Sequence, residues 1–333
     1  MVNYFDYDYE PLRMDFNLEK EKIPETYMIK DVKHFFYKES YCESTAFQMV
    51  LYKNGYKPTI KQINFLMGFT YGAFYPGSQY GFIPYNDPVM GTKVAASHFK
   101  LKQKYYITNS DKLFINTLKY YLSRDYPICI QLNEALLIDK QGVFHHCELF
   151  VGYDKKGFYY YQTSNKYNKH EKPLFIDYYK LLKAVKQLNE FFSRNWKYAF
   201  YIFEKDNSEV EPNYLQRNGY LLKGFKQKNL ATGFLAIKEF AKDIENQEKI
   251  QNPWAFEALF YTRLHNAEYI AETFDIQSVK NTSEIFMEAS NCYKQAFNIY
   301  KEQNENNLTK IIKLLNKGAD LENNIANIFI NNA

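Results

Sequence analysis

The segment "SYCESTAFQMVLYKNGY", Ser40 to Tyr56, places a thiol, Cys42, where a helix should begin. A thiol is a good nucleophile only as its thiolate. The unpaired N–H groups of a helix's first turn, at the positive end of its dipole, favour that form. The same N–H groups can receive an oxyanion when sulfur attacks a carbonyl. Far downstream, "FHHCELFVGYD" carries two histidines in a run rich in strand formers. Alternation puts Phe144, His146, Glu148 and Phe150 on one face, and His145, Cys147, Leu149 and Val151 on the other. A strand histidine facing the start of a helix is what a thiol–imidazole pair needs, because the base must be held rigidly. Each residue also has a plainer reading: Cys42 as a buried structural thiol, and the histidine as a satisfied core residue. Residue types alone leave both readings open.

The elements that would position this pair can be read from periodicity. Ala46, Phe47, Val50 and Leu51, spaced by three and four, predict a helix from Glu43 to "NGY", with Gly55 as its left-handed stop. "KPTIKQINFLMG" predicts a second short helix capped by Thr59. "GFTYGAFYPGSQYGFIPYNDP" predicts a long irregular loop with one strand in it, and such loops are often functional. "NSDKLFINTLKYYLSRDY" predicts a helix capped by Ser110 and Asp111, leading through Pro127 into a buried strand, "ICIQL". "GVFHHCELFVGYD" then turns through "KKG" into "FYYYQTS"; "IDYYKLLKAVKQL" is a helix and "KYAFYIFEK" a strand. The prediction is α+β: a leading helix, then a mostly antiparallel sheet. After Lys205 the polar "DNSEVEPNYLQRNG" reads as a linker, and four helical runs follow. Two domains are expected, 1–205 carrying the chemistry and 206–333 a helical bundle packed on it.

Composition bounds the rest. The chain has 333 residues, 46% hydrophobic and 24% charged, enough to build real cores. The 32 Tyr and 28 Phe carry no functional weight by themselves. A net charge of +4, with bases interleaved among acids, argues against a nucleic-acid partner. No run of about 18 apolar residues predicts a membrane span. "MVNYFDYDYEPLRMDF" lacks the basic and apolar regions of a signal peptide, so a cytoplasmic location is expected, with Cys42, Cys129, Cys147 and Cys292 reduced. Their spacings match no zinc pattern, so no metal is expected.

In order, "YCESTAFQMVLYKNGY", "LMGFTYGAFY", "YPICIQLNEALL" and "HCELFVGYDKKGFYYY" resemble the papain-like, C39-peptidase-like superfamily. Within it the resemblance is to the butirosin biosynthesis protein H type. That type has a Cys-x-x-Ser/Thr helix start, a Gly-rich aromatic segment, a strand after proline, and a His-led strand running to Gly-Tyr-Asp and a hairpin. The tail "FYTRLHNAEYIAETF" is similar to the helical region such proteins carry after the core, so the resemblance spans most of the chain.

The resemblance implies a papain-like fold followed by a C-terminal helical region. It implies Cys42 as nucleophile and His146, six residues before Gly152, as general base, with His145 turned away in a structural role. The implied activity is a cysteine-dependent acyltransferase forming amide bonds in thiotemplated, secondary-metabolite assembly. An acyl group would pass from a carrier-protein thioester to Cys42 and then to an amine. No cofactor is implied, since the phosphopantetheine belongs to the donor. The implied partners are an acyl or peptidyl carrier protein and a small amine, without nucleic acid or membrane; lysines in "KGFKQKN" would offer the acidic carrier a basic patch. The helical tail leaves a homodimer open. The alternatives are a cysteine peptidase or amidase of the same fold, and a non-catalytic binding module.

Two departures matter. The third triad member falls by length on Gln162, or on Asn165 if the strand shifts; Gln162 accepts a hydrogen bond but brings no charge. The peptidase branch places Gln six residues before the cysteine, where this chain has Phe36, which disfavours peptide cleavage more than thioester chemistry. For substrate binding, Tyr71 and Phe74 of the aromatic loop would line a channel, and Asn133 and Glu148 would hold an amine acceptor.

Overall fold

The computed structural model describes residues 11–14, 18, 21–37, 41–68, 72–75, 81–84, 87–163, 172–206, 212–247, 250, 253–302 and 307–333. The chain opens with β1 (Leu12–Arg13), β2 (Tyr27–Met28), α1 (Cys42–Lys53), α2 (Ile60–Met67), β3 (Ala73–Phe74), β4 (Phe82–Ile83), α3 (Pro88–His98) and β5 (Leu101–Thr108). It continues through α4 (Asp111–Leu122), β6 (Ile128–Asn133), α5 (Glu134–Leu137), β7 (His145–Tyr153), β8 (Gly157–Tyr161), β9 (Leu174–Asp177), α6 (Tyr178–Phe191) and β10 (Tyr198–Lys205). It closes with α7 (Tyr214–Lys223), β11 (Lys226–Gln227), β12 (Leu230–Thr232), α8 (Gly233–Gln247), α9 (Trp254–Thr273), α10 (Gln277–Lys280), α11 (Thr282–Lys301) and α12 (Leu308–Asn331).

Two compact units result, and they interleave: residues 8–60 with 96–209, and residues 61–95 with 210–333. The expected single boundary at 205 is therefore corrected. Segment 61–95 sorts with the helical tail because its apolar side chains enter that unit's cores, Phe65 beside Leu222 and Phe329, and Phe74 and Phe82 beside Phe240.

In the first unit the sheet order is β1-β5-β10-β6-β7-β8-β9, with β2 also pairing β7. Among the described residues, only β1–β5 pairs in parallel. The sequence predicts the sheet's β6, β7, β8 and β10, but not β5, nor the helix α3 before it. Alternation decides which helix meets which face. Phe47 of α1 packs on Phe203 with ring centres 4.6 Å apart, while Phe114 of α4 stacks on Tyr198 at 5.0 Å. Residues 198 and 203 point to opposite faces, so α1 and α4 sandwich the sheet. Helix α1 is buried from Glu43 to Leu51, and each wholly enclosed Phe or Leu there withdraws apolar surface worth about 2 kcal/mol. It stops as expected at Gly55, whose φ is +88°, with the Tyr56 N–H bonded back to the Leu51 carbonyl at 3.0 Å. In β7, Gly152 lets β2 approach: a Cβ there would stand 2.7 Å from the Tyr27 carbonyl oxygen. The β7–β8 hairpin is tied by Asp154, whose Oδ1 accepts from the Lys156 and Gly157 N–H groups at 2.7 and 3.1 Å.

The second unit joins a four-stranded antiparallel sheet, β11-β12-β3-β4, to the helices α7, α8, α9, α11 and α12. The aromatic loop thus contributes two strands, β3 and β4, rather than one. The expected linker is half helix, since α7 starts at Tyr214 with the Asn213 side chain accepting from the Gln216 N–H. The four predicted helical runs are α8, α9, α11 and α12. Arg263 and Glu322, both wholly buried, cross this unit as a two-pronged pair at 2.7 and 3.0 Å, with the Tyr293 hydroxyl donating to Glu322 at 2.7 Å. Among the described residues no helix is long and apolar enough to cross a membrane.

Candidate active site

Cys42 is the first residue of α1, and Tyr41 before it provides no side-chain cap. The sulfur lies where the backbone N–H groups of Glu43 and Cys147 point at it, and both pull the thiol pKa down. Burial does the opposite and is larger: the residue keeps partial exposure, but protein crowds the thiol. The Glu43 and Glu148 charges add to the burial effect, and the thiol is held well above its ordinary value. The depressed pKa that a helix N-terminus predicts is therefore not the outcome, because burial, joined by the Glu43 and Glu148 charges, outweighs the N–H groups.

His146 is the second residue of β7, opposite Leu132 of β6. Burial alone would make its imidazole harder to charge. Glu148, with Glu134 and Glu43, outweighs that and lifts the pKa to about 9. Two carboxylates bracket the ring from different sides: Glu148 Oε1 stands 3.2 Å from Nδ1, and Glu134 Oε1 stands 4.0 Å from Nε2. Glu148 Oε1 is close enough for an ion pair but lies off the line of a hydrogen bond, while Oε2 accepts the Thr163 N–H at 3.0 Å. Thr163 Oγ1 donates to the Cys147 carbonyl at 2.7 Å and lies 3.5 Å from His146 Nδ1. Glu134, His146 and Glu148 bring one donor atom each to within 4.8 Å of one another, a set that borderline divalent cations accept. The carboxylates approach different ring nitrogens, so ion pairing with the imidazolium accounts for the convergence.

The thiol arrives from the α1 face of β7, and alternation sends His146 to the α4 face. The sulfur reaches the histidine's neighbourhood at the strand's backbone edge, at the Cys147 N–H. Glu43 and Glu148 act on both groups. No thiol–imidazole hydrogen bond forms among the described residues in this resting arrangement.

On the α1 face, Glu43 is only 1% exposed. Gln131 Nε2 donates to it at 2.5 Å and the Tyr201 hydroxyl at 2.7 Å. His145 Nε2 lies 3.9 Å from Glu43, and its ring meets Phe192 edge-on. Burial, then the charges of Arg194 and His146, push its pKa down to about 3. His145 is thus a neutral, partly exposed ring on the face opposite His146.

The other predicted residues fare differently. Gln162 does not reach His146; its Nε2 donates to Glu134 at 3.3 Å, its backbone carbonyl meets His34 Nε2 at 2.7 Å, and its buried Oε1 has no hydrogen-bond partner among the described residues. Asn133 is wholly buried and fully employed: Oδ1 accepts from Ala135 and Phe144, and Nδ2 donates to Gly142 and Gln187. It caps α5, which leaves it nothing for an amine. Glu148, expected to bind an acceptor, turns Oε1 towards His146 in an ion pair and accepts the Thr163 N–H on Oε2. Phe74 is a core residue of the second unit. Tyr71 and Asn165 lie outside the described residues. Of the tail lysines, Lys223 bonds Asn323 and Asn327, and Lys226 pairs with Glu239. Sequence reasoning missed Glu43, Glu134 and Thr163. A signal existed for the first, since Glu43 follows the thiol on a helix too apolar to expose it.

No curated protein is found to match the sequence. Residues 29–187 match the family described as Peptidase_C39 like, a span that holds Cys42, His146 and the carboxylates around them. The match supports a papain-like, C39-like superfamily without singling out the butirosin type, and the α+β architecture is consistent with a papain-like fold.

Proposed function

We propose that the protein is a cysteine-dependent acyltransferase, moving an acyl group from a carrier-protein thioester through Cys42 to an amine. The observation that supports this reading is the sulfur at the head of α1, faced by the backbone N–H groups of Glu43 and of Cys147, the residue that follows His146 in β7. Neutral imidazole takes the Cys42 proton as sulfur adds to the thioester carbonyl, and the oxyanion is met by N–H groups of the first turn. Collapse expels the carrier thiolate, which takes the proton back from His146. The amine then attacks the acyl-cysteine, passes its proton through His146, and Cys42 leaves as the thiol. Acyl is exchanged from sulfur to nitrogen with no redox change. The donor's phosphopantetheine is part of the substrate.

A raised thiol pKa supports an activated donor over a peptide bond, because less of the thiolate is present at neutral pH. Phe36 in place of an oxyanion-hole glutamine supports the same choice. Hydrolysis by a cysteine peptidase or amidase is the second reading, favoured by the family match. Intact-mass analysis with an acyl-loaded carrier protein tests both. Acyl adduct on the wild type, absent in Cys42→Ala and discharged by amines, supports transfer; discharge by water alone means hydrolysis; no adduct and no enhanced alkylation of Cys42 sinks both.

A further inference from the structure

We infer that Glu148, two residues along β7 from His146, is the residue that positions the imidazole, in the role that the resemblance gives to Gln162, just past the next strand, or to Asn165. The inference rests on the proposed thiol–imidazole chemistry for its effect on turnover, but not for its effect on the histidine itself.

Three observations place Glu148 there. Its Oε1 is 3.2 Å from Nδ1, whereas Gln162 spends its amide N–H on Glu134. Its other oxygen is pinned by the Thr163 N–H at 3.0 Å, so the carboxylate cannot swing away without losing a buried bond. It is wholly buried, with Oε1 lacking a hydrogen-bond partner, so a small turn of the carboxylate completes an N–H···O bond to Nδ1. Resting catalytic hydrogen bonds are often misaligned in this way. With Nδ1 held by Glu148, Nε2 is the nitrogen left to exchange protons.

A carboxylate in place of an amide changes the chemistry as well as the geometry. Glu148 stabilises imidazolium, and it also raises the thiol pKa. The titratable groups around His146 are His145 and Glu148 on its own strand, Glu134 on α5, and Glu43 and Cys42 on α1. Tyr160 on β8 feels Glu148 and Glu134. From α4, Lys119 lies over the Tyr153 and Tyr178 rings, and Asp111 accepts from Tyr198. The resting pair therefore holds one proton more than the reactive pair, and reactivity rises with pH.

The test is an NMR titration of labelled histidines, the His146 signal being the one lost in His146→Asn. The wild-type midpoint is expected near 9, falling towards the ordinary 6.5 in Glu148→Gln and staying in place in Gln162→Leu. Positioning is then separated from charge by acyl transfer measured at each variant's own pH optimum. Glu148→Gln is expected to lose about 100-fold in kcat with KM changed less than about threefold. Should Glu148→Gln not fold, Glu148→Asp carries the test, keeping a raised midpoint with a lowered kcat. An unmoved midpoint in Glu148→Gln, an equal fall in Gln162→Leu, or full kcat at the shifted optimum overturns the inference. A wild type that titrates as expected but forms no acyl adduct leaves the positioning intact and sinks the proposed transfer.

Discussion

Two buried ion pairs, one in each unit, resemble each other on paper and differ in what they can do. Arg263–Glu322 in the helical unit is two-pronged, with the Tyr293 hydroxyl and the Pro84 carbonyl completing the set. His146–Glu148 in the sheet unit is a single approach with one carboxylate oxygen unsatisfied. Arginine cannot release its proton, so the first pair only holds helices together. Histidine can, so the second pair can take up and release a proton. A fully satisfied pair is a strut, and a partly satisfied, titratable one is a tool.

The largest expected effect tests the tool. Cys42→Ala should abolish the acyl adduct and lower turnover by at least about 10⁴-fold, with an unchanged denaturation midpoint. Residual turnover near wild type would detach the His146–Glu148 pair from any nucleophile. The strut is tested by Glu322→Ala, which should destabilise by about 3–5 kcal/mol in a chemical denaturation series, because it strands a buried guanidinium. Replacing both Arg263 and Glu322 by Met and Leu should recover most of that; if it does not, the pair is doing more than the comparison allows.

The pH dependence sharpens the contrast further. The folded-state pKa of His146 is raised, from 6.5 to about 9. Its stabilisation is therefore complete below about pH 6.5 and lost as pH rises through 9. Urea midpoints between pH 6.5 and 9 should fall, and His146→Asn should flatten that slope, whereas Glu322→Ala should not. The smallest effect belongs to Asn133: removing the α5 cap by Asn133→Ala should cost about 1–2 kcal/mol by the same assay, with KM for the amine unchanged. A rise in that KM would restore Asn133 as a binding residue.

Much of this was legible. Cys42 at a helix start and His146 on an alternating strand follow from period and residue type, since burial on one face leaves little choice. What escaped was set by distant chain. Nothing local to Glu148 says that its partner is the ring two residues back rather than a ligand, although a lone acid in "CELFV" signals burial. Gln162 was placed by counting along a strand, and counting does not show which neighbour an amide prefers. Segment 61–95 reads as part of the first domain because its destination, Phe240 and Phe329, lies far ahead in sequence. The helix α7 was hidden by a polar stretch whose Asn213 is a cap rather than a linker residue.

That interleaving also governs how the polypeptide can be made and cut. Phe65, Phe74 and Phe82 leave the ribosome long before the helices that enclose them, and stay without a core until the last of the chain is synthesised. A fragment ending at 205 would keep Cys42, His146 and every carboxylate around them, yet carry a sticky, homeless insert between its first helix and the rest of its sheet. Neither half can be excised as one continuous piece.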